Sequence, residues 1–233
     1  MLAANRDEYF DRAFLSPGFH WKKFPFIFAG KDKKEGGSWL GVNAYGVCIA
    51  ILNRKSNLKS LKLKSRGGLV IDLLKQRNAT VAKDLLLKKF EKKYNFFNLI
   101  IADNKSAYWI KYENYLIETF SIPYGHSIID NQNLNDNSSL RQALNKETFY
   151  NSRSPVPEKN FFTDWQKLLM LQKQNVDEKA ASIYVNKRYN NYGTVCSSII
   201  GLPSDEKNSN DIFWLYRNSF SRKPYFNKLK VFK

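Results

Sequence analysis

The sequence predicts an α+β fold in which helices are layered on antiparallel sheets. Three observations carry this. Segments of β and of helical character come in blocks: strands, two helices, strands, two helices, strands. Neighbouring β runs are joined by short turns, as at Ala44-Tyr45, and turns of that length pair strands antiparallel. No internal repeat and no long linker interrupts the 233 residues, so one domain over residues 1–233 with a sizeable core is expected.

In chain order, Leu2-Ala3-Ala4 opens a strand that runs straight into Asn5-Arg6-Asp7-Glu8. Residues 9–23 are mixed and turn-rich, with Pro17-Gly18 as a breaker. Phe26 to Ala29 is a short strand, and residues 31–37 a charged turn closing on Gly36-Gly37. Residues 38–43 and 46–53 form a hairpin whose second arm is apolar on both faces and therefore buried. Ser65 is expected to cap a helix over residues 66–74, and Asn78 a second one that turns Val81, Leu85 and Leu86 to the core. Strands follow at 95–103, 108–111 and 115–120, with 123–129 closing the series. A helix over 138–150 leads to the Pro155-Val156-Pro157 break, after which Thr163 caps a helix carrying Trp165, Leu168, Leu169 and Leu171. Strands at 192–202 and 212–220 and a weaker one near 225–232 end the chain.

The chain carries a net charge of +17, with a pI near 9.7. Such a charge suits nucleic acid. The lysines are scattered, however, and Lys, Asn, Ile, Phe and Tyr are abundant together, a pattern of overall composition. No zinc-finger spacing or RNA-binding motif supports a nucleic-acid partner, which is not expected. The densest basic run, Lys55, Lys59, Lys62, Lys64 and Arg66, could meet an anionic ligand. No apolar run reaches the ~20 residues of a membrane span, and no secretory leader pattern is present. Two cysteines give no disulfide framework and no metal spacing, so a cytoplasmic setting and no metal site are expected.

Gly41 and Gly46 have phosphate-loop spacing, but Val47-Cys48 stands where Lys and Ser or Thr are needed. His20 and His126 are far apart in sequence and read as surface or hydrogen-bonded residues. Trp39, Trp109, Trp165 and Trp214 read as core. Cys48 and Cys196 have apolar neighbours and read as buried, inert thiols. Two readings of Asn5 to Glu8 remain. One is a polar strand end in which Arg6 pairs with a carboxylate and Asn5 satisfies a turn. The other is a clamp for a carboxylate or phosphate, which Arg grips bidentately. In an extended strand Asn5 and Asp7 face one way, Arg6 and Glu8 the other.

Asn5-Arg6-Asp7-Glu8 resembles the namesake motif of the NRDE family, the transport and Golgi organisation protein 2-like proteins. Gly36-Gly37-Ser38-Trp39-Leu40-Gly41, the strand ending at Asn53, Ser65-Arg66-Gly67, Phe97-Asn98-Leu99, Tyr124-Gly125 and Tyr192-Gly193-Thr194 resemble that family's later blocks, in the same order. The resemblance implies an N-terminal-nucleophile-hydrolase-like αββα sandwich of antiparallel sheets. In such enzymes a terminal Cys, Ser or Thr attacks an amide. Arg6 and Asp7 would be the orienting pair and Asn53 an oxyanion donor. Asn5, Arg66, Tyr124, Tyr192 and Thr194 would join them around a ligand. Family members are associated with haem trafficking and with lipid or acyl-CoA homeostasis, so haem or an acyl thioester is the implied cargo.

The chain departs from the family pattern at three points. Relatives usually carry Met-Cys and a strand before the Leu-Ala-Ala-Asn stretch, so an N-terminally truncated form of the domain is expected. Ile128 stands where an amide is usual, and Val195 where Arg is frequent. The implied function is noncatalytic handling of a small anionic or amphipathic ligand with no required cofactor. The alternative is a cysteine amidohydrolase whose nucleophile lies upstream, and the third is a basic nucleic-acid binder. An uncovered edge beside Leu2 to Asn5 would invite association between chains.

Overall fold

A computed structural model describes residues 1–54, 63–187, 190–204, 211–222 and 224–232. The elements are β1 (Leu2–Tyr9), β2 (Phe14–Gly18), β3 (Ile27–Asp32), β4 (Leu40–Asn43), β5 (Cys48–Asn53), α1 (Gly67–Leu73), α2 (Ala79–Lys89), β6 (Phe97–Ala102), β7 (Ala107–Glu113) and β8 (Leu116–Ser121). Then come α3 (Leu140–Tyr150), α4 (Thr163–Leu169), β9 (Asn186–Lys187), β10 (Tyr192–Gly201), β11 (Phe213–Asn218) and β12 (Asn227–Lys228). The described strands form two sheets, antiparallel throughout, as expected from the hairpin-length turns. Among the described residues no helix is long and apolar enough to cross a membrane.

The chain divides into two compact units. One comprises Met1–Arg12, Asn135–Leu202 and Asp211–Lys233, the other Ala13–Leu134 and Pro203–Asn210. In the second, the strands run β2-β3-β4-β5-β6-β7-β8 in sequence order. Apolar residues of α1 and α2, among them Val70, Leu73, Ala82 and Leu86, bury the sheet face that carries Ile27, Ile49, Leu99 and Ile110. The β4–β5 turn is latched to the end of α1 by Asn43. Its amide donates to Leu74 O and Gln76 O, both at 2.7 Å, and its Oδ1 accepts from the N–H groups of Tyr45 and Val47. Gly37 and Gly67, from two of the sequence blocks, pack backbone on backbone. A Cβ on Gly37 would lie 2.3 Å from the Gly67 carbonyl carbon, so only glycine fits.

In the other unit the order is β1-β10-β11-β12, with β9 also on β10, and α4 buries Trp165, Leu168 and Leu169 against Ile199, Phe213 and Leu215. β1 pairs with β10 and ends the strand order.

Several local expectations are corrected. Residues 14–18 are a strand, not a turn: β2 is at the sheet edge, where Pro17 needs no ladder N–H, and its register shifts between Leu15 and Gly18. Residues 123–129 form no strand, since β8 ends at Ser121 and Gly125 takes a φ of +96°. Asn78 caps α2 as expected, through Val81 N–H at 2.8 Å, but Val81 itself is exposed and Ala82 is the buried neighbour. Ser65 accepts from Gly67 N–H at 3.3 Å, although the capping position of α1 is Arg66. Thr163 lies inside α4 and makes no cap, with Phe162 ahead of it. Trp109, Trp165 and Trp214 are buried, whereas Trp39 is half-buried, its ring lying over Gly30.

Candidate functional site

The end of β1 gathers the chemistry of the first unit. The β1–β10 register shifts at Arg6/Asp7, so that Arg6 faces Cys196 and Asp7 faces Thr194, with Val195 bulged between them and wholly buried. A cation at position 195 would pay full desolvation, which accounts physically for valine there. Beyond the bulge Asp7 and Thr194 share one face. The Thr194 hydroxyl donates to Asp7 Oδ1 at 2.6 Å and accepts from Val185 N–H at 2.9 Å. Gly193 makes room for this closure, because a Cβ there would lie 2.7 Å from Val185 O and 2.9 Å from the Phe10 ring.

Asn5 stands on the same face and is spent on structure. Its amide donates to Leu169 O at 2.8 Å and to Ile183 O at 2.9 Å, stapling β1 to the end of α4 and to the 181–185 segment. Asn145 on α3 repeats the device, donating to Arg141 O and Ala181 O. Arg6 and Glu8 project oppositely, as the period of two requires, with Arg6 Nη2 3.4 Å from Glu8 Oε2.

Three cations that sequence reasoning did not single out complete the cluster. Arg12 Nε lies 3.5 Å from Glu8 Oε2, Arg141 Nη1 of α3 lies 3.8 Å from Asp7 Oδ2, and Lys187 of β9 acts on Asp7 through space. Arg6 and Arg12 both meet Glu8, while on the other face two cations, Arg141 and Lys187, stand against Asp7. Burial still dominates at Asp7 and raises its pKa above the ordinary 3.8, against the pull of Thr194, Arg141 and Lys187. The Tyr192 hydroxyl is pushed up to about 12 by burial and by Asp7 and Glu8.

Aromatic rings edge this cluster. Tyr9 packs edge-on against Tyr192 at 5.4 Å and Phe10 against Phe220 at 5.6 Å. Tyr9 and Phe220 are each more than half exposed. Charge and aromatic surface thus adjoin at one strand end.

The structure brings together Asn5, Arg6, Asp7, Tyr192 and Thr194. Asn53, Arg66 and Tyr124 belong to the other unit: Asn53 is exposed at the end of β5, Arg66 donates to Phe96 O at 2.8 Å, and Tyr124 is fully exposed after β8. Beside Asn53, Arg54 is the buried residue of interest, a position sequence reasoning passed over. Its guanidinium meets Glu113 Oε1 at 2.8 Å, Asn98 Oδ1 at 3.0 Å and Gln132 O at 2.9 Å. Of the basic run, Lys55, Lys59 and Lys62 lie outside the described residues, and Lys64 pairs with Glu91.

Cys48 and Cys196 are free and buried, and burial pushes both thiols up to about 12. Neither can supply thiolate near neutrality. His20 bonds Ser16 O at 2.8 Å. Among the described residues no cluster of His, Cys, Asp or Glu is suited to hold a metal.

The profile of the family described as Transport and Golgi organisation 2 matches residues 1–210. The Transport and Golgi organization protein 2 homolog of Homo sapiens is 37% identical over 115 residues, 46% of this chain and 40% of that protein. The homolog of Bos taurus is 35% identical over 109 residues, 44% of this chain and 38% of that protein. The matched segment therefore spans about two fifths of these relatives. Among solved structures, penicillin V acylase from Agrobacterium tumefaciens superposes with a TM-score of 0.52 at 12% identity, over 98% of this chain and 81% of that one. A conjugated bile acid hydrolase mutant from Clostridium perfringens gives 0.47 at 12% identity, over 88% and 76%. The likeness to the acylase shows the fold, that of the N-terminal-nucleophile hydrolases.

Proposed function

The chain belongs to the Transport and Golgi organisation 2 family, and from that premise we propose that it is a noncatalytic carrier of a small anionic, amphipathic ligand, of the class that includes haem and acyl thioesters. One observation supports this above the others: at the end of β1 two cations, Arg141 and Lys187, stand against Asp7 beside the exposed rings of Tyr9 and Phe220. A carboxylate or phosphate head would meet Arg141 and Lys187 while an apolar body lies on the rings. Of the residues expected to hold a ligand, Asp7, Tyr192 and Thr194 stand in this cluster, and Arg6 lies on the opposite face of β1 with Glu8. Asn5 supports it from beneath, because both of its donors are engaged by backbone carbonyls. Titration with haem, followed by absorbance, and with a long-chain acyl-CoA, followed by calorimetry, tests the reading. Saturable micromolar binding of one of them supports it, and binding of neither refutes it.

A second reading, a cysteine amidohydrolase with Arg6 and Asp7 orienting the nucleophile, draws on the shared fold. Cys48 and Cys196 are poor candidates for its nucleophile, being buried with thiols near 12. Sequencing the N-terminus of the protein from its native source, followed by assay on acyl amides, tests that reading. A leading cysteine together with amine release would favour it over the first.

A further inference from the structure

In the unit built on the sheet from β2 to β8, an array of rings and cations serves neither the ligand cluster nor the helix-side core alone. Trp21, Phe24 and Phe26 lie half-buried on the rim of that core. Phe26 is 6.2 Å from Phe24 and 5.7 Å from Tyr45, which is 45% exposed at the tip of the β4–β5 turn. A cation stands over three of the four rings: Lys75 over Phe24 at 4.4 Å, Arg77 over Tyr45 at 5.7 Å and Lys31 over Trp21 at 5.7 Å. The wholly buried Asn43 fixes this arrangement, tying the turn that bears Tyr45 to the segment that bears Lys75 and Arg77. Lys22 and Lys23 are exposed beside Trp21. Among the described residues Lys75 alone of these five cations has an ion-pair partner, Asp72 at 2.7 Å, so four positive charges stand unneutralised.

We propose that this face, formed by residues 21–26, the Tyr45 turn and residues 75–77, docks on the surface of a lipid bilayer rich in anionic headgroups. The charge surplus is complementary to lipid phosphates and carboxylates, and Lys and Arg near such a surface each add to the attraction. Aromatic rings with polar surroundings settle at headgroup depth. The geometry favours lipid over single-stranded nucleic acid. Stacking of successive bases needs several exposed rings, and here Trp21, Phe24 and Phe26 are half-buried against the core and Tyr45 is the exposed ring of the four. The exposed part of Tyr45 remains available to a headgroup layer.

The test is sedimentation of the full chain with vesicles of phosphatidylcholine alone and of phosphatidylcholine mixed with phosphatidylserine, in low and high salt. The expected result is binding to the mixed vesicles, weakened by salt. The triple substitution Lys22→Gln, Lys23→Gln, Arg77→Gln should lower affinity on the order of a hundredfold, and Tyr45→Ser should lower it further. A control that neutralises Lys88, Lys89 and Lys92 removes the same charge at the end of α2 and should leave most of the affinity. Equal loss in the control would reduce the effect to net charge and overturn the proposal, as would equal binding to both vesicles. Single-stranded DNA run in parallel should be indifferent to the triple substitution. Loss of DNA affinity with vesicle binding retained would reassign the face to nucleic acid.

Discussion

Thr194 donates its hydroxyl proton to Asp7 at 2.6 Å, joining positions 187 residues apart in the chain. The same oxygen receives Val185 N–H, so one hydroxyl locks β1, β10 and the segment leading into β9.

Thr194→Val keeps the shape and removes both hydrogen bonds, leaving a buried carboxylate oxygen and a buried N–H unmatched. The expected loss is about 2–4 kcal/mol, read as a lowered urea midpoint with an unchanged slope. Thr194→Ser keeps the oxygen and should recover most of it. Equal stability of the valine variant and the parent would show that the lock carries no weight.

Stability should depend on pH through Asp7. Its folded-state pKa lies above the ordinary 3.8. Below 3.8 the carboxyl is protonated in both states and no penalty exists. As the pH rises past 3.8, the unfolded chain ionises first and the parent loses stability relative to Asp7→Asn, levelling once the folded carboxyl has ionised. Chemical denaturation of both proteins from acid to neutral pH checks the sign. A parent that gains on the variant as the pH rises would contradict it.

On the same face, Asn5 and its cross-strand neighbour Ser197 should behave oppositely. Asn5→Asp sets acceptor against acceptor at Leu169 O and Ile183 O and should cost about 2–4 kcal/mol. The buried Ser197 hydroxyl has no hydrogen-bond partner among the described residues, so Ser197→Ala should be neutral or slightly stabilising. Thermal denaturation separates the two outcomes.

Both thiols should resist alkylation. With Cys48 and Cys196 buried and raised to about 12, iodoacetamide at mildly alkaline pH should label native protein far more slowly than protein in denaturant. Rapid native labelling of either by mass spectrometry would return it to the list of candidate nucleophiles.

The uneven legibility of the chain has physical causes. β5, β6 and β11 are dense apolar runs, and burial on a sheet leaves few other ways to write them. β2 was hidden because Pro17-Gly18 breaks an interior strand but is tolerated at an edge. The misplaced helix caps each differ by one residue, since Arg66 and Phe162 hold the capping positions with no side-chain bond. Within the site, the Asn5–Glu8 stretch was legible because four polar residues following an apolar strand are conspicuous. Arg141 and Lys187 were not, because surface-type cations on a helix and a two-residue strand carry no local sign that they will converge on Asp7. Arg54 was masked by its neighbour: the strand pattern points to Asn53, while the buried network closes one residue later.

The central claim is that the two cations standing against Asp7 at the end of β1 hold an anionic, amphipathic ligand. Its most direct measurement is the affinity of haem and of a long-chain acyl-CoA for the parent chain and for Arg141→Gln combined with Lys187→Gln. The account predicts saturable micromolar binding of at least one ligand to the parent and a loss of roughly tenfold or more in the double variant, since each charge-assisted contact contributes about 1.5–3 kcal/mol before screening. Failure of both ligands to bind the parent, or equal affinity in the double variant, would contradict it.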